Sequence, residues 1–325
     1  MPAIQSLSLN PIIFLQVPAF ETVVLKLSSF MDEASWLSSV SQSKDQIKAV
    51  LLGTVLPYLK ARFPSPSPAD AKTLPSATPA ILTSWIQATN ALVLALPVEY
   101  LFPLVDMWRL AFLDPNVGSW LATRNPTNLA TDPITMFLPK SINALDNPSK
   151  GSRNYVLTVI RMLCNAFSHT DLSHQLLSSS MREKITAEVL VPSLLHSDGL
   201  VRTAAASLAF NVSTVLQKSR VEAVKSGRGI KPYRAAEDGF ADWEVEMVSA
   251  VIEALDREKE NEEVGKYFKF FFRWSIFSDI EYIFVVVVVA STSINGCSSP
   301  FHTSVSAIRV SNQGFIRGIA DTELT

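Results

Sequence analysis

Cysteine is almost missing from this 325-residue chain: Cys164 and Cys297 are the two, and they stand too far apart in sequence to suggest a disulfide framework. Cys164 lies among apolar helix positions, where a free thiol behaves as a small core residue, and this points to a reducing compartment. Histidine is scarce too. His169, His174, His196 and His302 form neither an HExxH nor a Cys/His pair at zinc-ligand spacing, which argues against a metal site. Cys164 and His169, five apart, face different sides of a helix, and no third group orients the imidazole, so a thiol nucleophile gains no support. GxSxG does not occur, and GRGIK at 227–231 lacks the spacing and hydroxyl residue of a phosphate loop. The formal charge of −2 and a pI near 6.1 exclude a global drive toward nucleic acid or anionic lipid. The chain therefore reads as non-catalytic, with no cofactor and no metal.

Long apolar runs are also lacking. The first twenty residues have neither the basic region nor the apolar stretch of a signal peptide, so secretion is not expected, and the NVS sequon at Asn211 reads as helix. The run from Ile283 to Ala290 falls well short of the about 18 residues that span a bilayer, and Arg273, Asp279 and Glu281 interrupt its extension. Strand-like alternation is largely missing between Pro18 and Glu263, whereas helical spacing recurs.

What is present is a succession of helices with clean stops. After an extended start at residues 1–17, carrying Pro2 and Pro11, Phe20, Val23, Val24, Leu27 and Phe30 mark a first helix behind Pro18. DQIKAVLLGTVLPYLKARF is a second, with Asp45 in its first turn, Lys60 and Arg62 in its last, and Pro57 bending it. Five prolines between Pro64 and Pro79 make residues 63–80 an exposed connection. ILTSWIQATNALVLAL and EYLFPLVDMWRLAFL follow, stopped at Pro97 and Pro115. PNVGSWLATRNPTNLATDP reads as a turn-rich link and PKSINALDNPSKGS as one short helix. Next come NYVLTVIRMLCNAFSH, SSSMREKITAEVLVPSLL and SDGLVRTAAASLAFNVSTVLQ, the last capped by Ser197 or Asp198.

VIRMLCNAFS and AASLAFNVST carry the same core at corresponding places. Aligned on Asn165 and Asn211, they lie 46 residues apart and each puts an apolar residue directly before the Asn. That period suits armadillo and HEAT repeats, in which each helical unit buries its face against its neighbours. An all-α solenoid spanning residues 18–264 is expected. A buried amide needs partners for its donors and acceptor, and two fit equally: a bound extended peptide, or carbonyls of a neighbouring helix or loop.

Lys218, Arg220, Lys225, Arg228, Lys231 and Arg234 form a basic stretch whose one acid is Glu222, and residues 237–263 are acidic. The latter hold an amphipathic helix with Trp243, Met247, Val251 and Leu255 on one face. This asymmetry suits an acidic peptide; a solvated loop beside a solvated helix explains it as well. Beyond Val264, residues 265–325 diverge: aromatic residues precede five consecutive valines and helical periodicity ends. Gly265, Lys266 and Tyr267 can be encoded as a consensus splice donor, so intron read-through is the expectation for this tail; a spliced transcript encoding the same residues would overturn it. Exposed, the valine run is an aggregation hazard.

LFPLVDMWRLAFLDPNVGSW, NYVLTVIRMLCNAFSH and GLVRTAAASLAFNVSTV resemble the PUL domain, the armadillo-like module of the phospholipase-activating protein family, and most closely its branch in fungal thioredoxin-like proteins. The resemblance runs from about Phe102 to Val264 and more weakly back to Pro18. It implies a curved helical array whose basic concave groove binds the acidic C-terminal tail of an AAA segregase, valosin-containing protein. That implies an adaptor in ubiquitin-dependent turnover, in the cytoplasm with the nucleus as a second compartment. On it, Asn165 and Asn211 would hold peptide backbone, Arg161 and Arg202 would pair with carboxylates, and Arg109 and Lys218 would flank them. Two other readings are a C-terminal fragment of a thioredoxin-like or PPPDE-type deconjugating enzyme, and an adaptor anchored through Phe268 to Ala290.

Overall fold

The computed structural model describes residues 10–35, 42–63, 74–123, 132–225, 240–257, 282–286 and 307–311. Helices α1 (Phe20–Glu33), α2 (Lys44–Val50), α3 (Leu56–Arg62), α4 (Pro79–Ala95), α5 (Phe102–Ala111), α6 (Pro115–Ala122) and α7 (Pro133–Asp146) open the array. It continues with α8 (Lys150–Ala166), α9 (Thr170–Leu176), α10 (Ser179–Ile185), α11 (Val191–Leu194), α12 (Gly199–Lys225) and α13 (Phe240–Arg257). All-α repeat architecture is what the spacing predicts. Among the described residues, the strands are Tyr282–Val286 and Ala307–Ser311, an antiparallel pair in the tail with Phe284 opposite Arg309. Most of the proline-rich connection, the basic residues from Arg228 to Arg234 and most of the Phe268–Ala290 stretch lie outside the described residues.

Helix starts follow local chemistry. Ser43 caps α2 in a reciprocal capping box with Gln46, and Thr78, Asp114, Asp132, Ser149 and Asp198 accept from early amides of α4, α6, α7, α8 and α12. Asp198 is thus the cap that the sequence left open between two residues. Pro57 and Pro192 each follow a π-turn, Leu51–Val55 and Thr186–Leu190, that joins two α segments. A proline lacks the amide for the i−4 bond and its ring crowds that carbonyl; a wider turn just ahead relieves both. The expected bend at Pro57 takes this form.

Two segments are more helical than their composition suggests. The link opens as the helix α6, because Asp114 caps its first turn and Pro115 occupies a position whose missing amide costs nothing. Its Gly118 lies so close to the His169 ring that a Cβ there would meet the ring at 2.3 Å, so only glycine lets the imidazole reach the carbonyl of Phe112. PKSINALD is the second half of the fourteen-residue α7, which contains Pro139 and buries Ile134, Phe137, Leu138 and Ala144.

The core is continuous from Phe20 to Ala254. Trp85 and Trp108 stack with centroids 4.1 Å apart, and Trp108 donates to Thr89. Trp243, Met247 and Val251 bury one face of α13, and the Trp243 indole donates to Thr186. One window of α12, Gly199–Leu216, is long and apolar enough to cross a membrane, but most of it is buried inside the array, as a core helix should be.

Asp114 holds the first half together. Fully buried, its carboxylate accepts from the Tyr58 hydroxyl at 2.9 Å, the Ala77 amide at 2.8 Å and the Asn116 amide at 3.0 Å, with Arg62 4.0 Å away. Burial, and then the adjacent carboxylate, hold the Tyr58 phenol protonated well above the usual tyrosine range. Removing the carboxylate strands three donors at once, so Asp114→Ala is expected to cost about 3–5 kcal/mol and Tyr58→Phe about 1 kcal/mol in urea unfolding. Equal losses in the two variants would contradict this node.

Candidate functional site

The ends of α5 and α8 are built alike. Phe112 and Phe167 donate back to Trp108 and Leu163, and the next two amides tighten onto Leu110 and Ala111 in one case and Asn165 and Ala166 in the other. The tightening leaves the carbonyls of Arg109 and Cys164 without their helical partners, the usual debt of a helix C-terminus. Each is met from the next repeat. Asn165 donates Nδ2 to the Arg109 carbonyl at 2.8 Å, and Asn211 donates Nδ2 to the Cys164 carbonyl at 3.1 Å.

That uses one amide hydrogen of each Asn. Residues 10–17, the extended segment ahead of α1, take the rest. The Ile12 amide donates to Asn211 Oδ1 at 2.7 Å and its carbonyl accepts from Asn211 Nδ2 at 2.8 Å. Two residues on, the Phe14 amide donates to Asn165 Oδ1 at 2.7 Å and its carbonyl accepts from Asn165 Nδ2 at 3.2 Å. Arg109 completes the row: Nη1 donates to the Phe14 carbonyl at 2.6 Å and Nη2 to the Gln16 carbonyl at 2.7 Å, while Nε donates to Asp106 at 2.6 Å. The strap thus crosses α12, α8 and α5 in that order, against the order of the repeats. Of the two alternatives for the asparagines, the bonds seen are those to carbonyls of a neighbouring helix and of the chain's own extended segment.

Arg161, one turn before Asn165 on α8, places its guanidinium 5.3 Å from the centre of the Phe14 ring. Its buried Nε has no hydrogen-bond partner, and among the described residues no carboxylate forms an ion pair with it. Burial, and next the charge of Arg109, pull Arg161 below the usual arginine range, as befits a cation beside another cation. Arg153, about two turns farther back on α8, is tied to Asp198 at 2.5 Å.

The other two candidates lie elsewhere. Arg202 donates Nη1 to the carbonyls of His196 and Ser197, bracing the turn into its own helix, and Lys218 is exposed far along α12. Cys164 is fully buried, and burial pushes its thiol far above the usual range, which suits a neutral core residue. Sequence reasoning missed the strap as the occupant of the row and Asp106 as the partner of Arg109. Pro11 and Pro18 mark the segment as extended, but nothing in IIFLQV between them marks its seat.

Each Asn makes three hydrogen bonds while fully buried. At about 1 kcal/mol apiece, Asn165→Ala and Asn211→Ala are each expected to cost about 2–3 kcal/mol, and Arg161→Ala less than about 1 kcal/mol. Urea unfolding that finds the Asn variants within about 0.5 kcal/mol of the parent would contradict the arrangement.

The model of the PUL domain matches residues 8–266, a span that takes in the strap, the asparagine row and α13. No curated protein matches the chain. PUL domains are protein-interaction modules, which accords with a solenoid that grips an extended backbone. The chain belongs to the PUL domain family.

Proposed function

We propose that the chain is a non-catalytic adaptor whose concave face binds the acidic C-terminal tail of an AAA segregase, valosin-containing protein, in ubiquitin-dependent protein turnover. The observation that carries this reading is Arg161: a half-buried guanidinium with an unsatisfied Nε, next to the Arg109 cation and the amides of Asn165 and Asn211. A carboxylate arriving there gains a charge-assisted bond and relieves the repulsion between two arginines. The row of amides supplies the other half of peptide recognition, since an extended backbone presents an N–H and a C=O to the same side at every second residue. In this assignment Arg161, Arg109, Asn165 and Asn211 touch the peptide, while Arg202 and Lys218 contribute to the field that attracts it.

Calorimetric titration of the full chain with the acidic C-terminal peptide of the segregase tests this directly. The expected result is a micromolar Kd that weakens as salt rises, with at least a tenfold loss in an Arg161→Glu variant of unchanged helicity. Absence of binding to the folded chain at low salt would refute it.

A further inference from the structure

We propose that Phe14 of the strap is a positioning residue: its ring holds the Arg161 guanidinium in place on the concave face and leaves the N–H donors of that cation for a partner's carboxylate. This rests on the reading of the concave face as a site for an acidic peptide, and it makes the seated strap a wall of that site. Phe14 is fixed through both its backbone and its ring. Its amide donates to Asn165 Oδ1 at 2.7 Å, and its carbonyl accepts from Asn165 Nδ2 at 3.2 Å and from Arg109 Nη1 at 2.6 Å. Among Ile12, Ile13, Phe14, Leu15 and Val17, Phe14 is the one packed against the core, whereas Ile13, Leu15 and Val17 remain 39%, 60% and 38% exposed.

The Arg161 head group has no such anchorage of its own. Among the described residues it forms no hydrogen bond and no ion pair, and its Nε is buried without a partner. A long side chain with nothing to hold it samples many rotamers, and a ligand that must gather it loses affinity in doing so. The Phe14 ring, its centre 5.3 Å from the guanidinium carbon, supplies the hold. A ring face draws the cation yet offers no acceptor, so the guanidinium keeps its planar fork of donors for a carboxylate. The charges around it work the same way. Asp106, the carboxylate whose field reaches Arg161, is taken by Arg109 at 2.6 Å, and the Arg109 charge itself opposes that of Arg161. A carboxylate at position 14 would neutralise Arg161 from within the chain; an aromatic ring there places the cation and leaves its charge to a partner.

The test uses the full chain and compares Phe14→Leu, which keeps an apolar side chain without a ring face, with Phe14→Tyr, which keeps the ring. NMR relaxation of the Arg161 Nε–H group reads the positioning with no partner present. Its order parameter is expected to be high in the parent and in Phe14→Tyr and to fall below about 0.6 in Phe14→Leu. An Arg161 group that stays equally ordered in Phe14→Leu, folded by circular dichroism, would overturn the proposal. Calorimetric titration with the acidic segregase tail reads the consequence. Phe14→Leu is expected to bind about threefold to tenfold more weakly and Phe14→Tyr within about twofold of the parent, and Phe14→Leu should have no further effect once Arg161→Leu is present. A general loosening of the strap would instead weaken binding by the same factor with or without Arg161, and that result would overturn the proposal. Loss of order in Phe14→Leu, together with no tail binding by the parent, would support the positioning role and remove the segregase as the source of the carboxylate. Tail binding that is indifferent to Phe14→Leu would leave the peptide site standing and overturn the role of Phe14 in it.

Discussion

The side-chain amide of Asn165 joins three pieces of chain that are remote in sequence. Through it α8 satisfies a carbonyl at the end of α5 and holds both polar groups of Phe14 in the strap. The constraint behind this is the helix C-terminus: closing α5 with a tightened turn leaves the Arg109 carbonyl unpaired in the interior, and a donor must come from outside the helix. Once an amide is placed there, its other hydrogen and its oxygen need partners as well, and Phe14 supplies them. Asn211 repeats the arrangement on Cys164 and Ile12. Stacking the repeats and gripping an extended segment are thus one device, and the spacing of the repeats sets the two-residue step along the strap.

Around this row the array solves the same joint in two ways. Where α5 turns into α6 the residue at the junction is Asp114, whose buried carboxylate gathers Tyr58, Ala77 and Asn116. Where α8 turns into α9 it is His169, whose ring reaches back to the Phe112 carbonyl across the space that Gly118 leaves open. One junction ties the N-terminal helices down and the other ties successive repeats. Both hold the helix ends that carry Arg109 and Asn165, so the geometry of the row rests on buried polar contacts that a purely apolar core could not aim.

Most of the array was legible in the sequence because its signals are local: helical spacing, capping residues, and proline stops at Pro97 and Pro115. Asn165 and Asn211 stood out because the repeat carried the same residue to the same place. The helix α6 was hidden by Pro115 and Gly118, which punctuate a turn as readily as they open a helix and make room for a neighbour; the cap at Asp114 decided between them. Arg202 resembled Arg161 in sequence, yet it sits at the start of its helix, where the carbonyls of His196 and Ser197 claim it. The strap was the least legible part. Its extended form follows from prolines, but its seat depends on contacts 151 and 199 residues away, and no local pattern carries that.

The central claim is that each asparagine reads one particular pair of backbone groups. A double-mutant cycle in urea unfolding tests it most directly, crossing Asn165→Ala with Phe14→Pro and, separately, with Ile12→Pro. Because Asn165 meets Phe14 and not Ile12, the first pair should be non-additive by about 1–2 kcal/mol and the second additive within about 0.5 kcal/mol. Additivity in both pairs would contradict the account, since the strap would then be held by something other than the asparagine row.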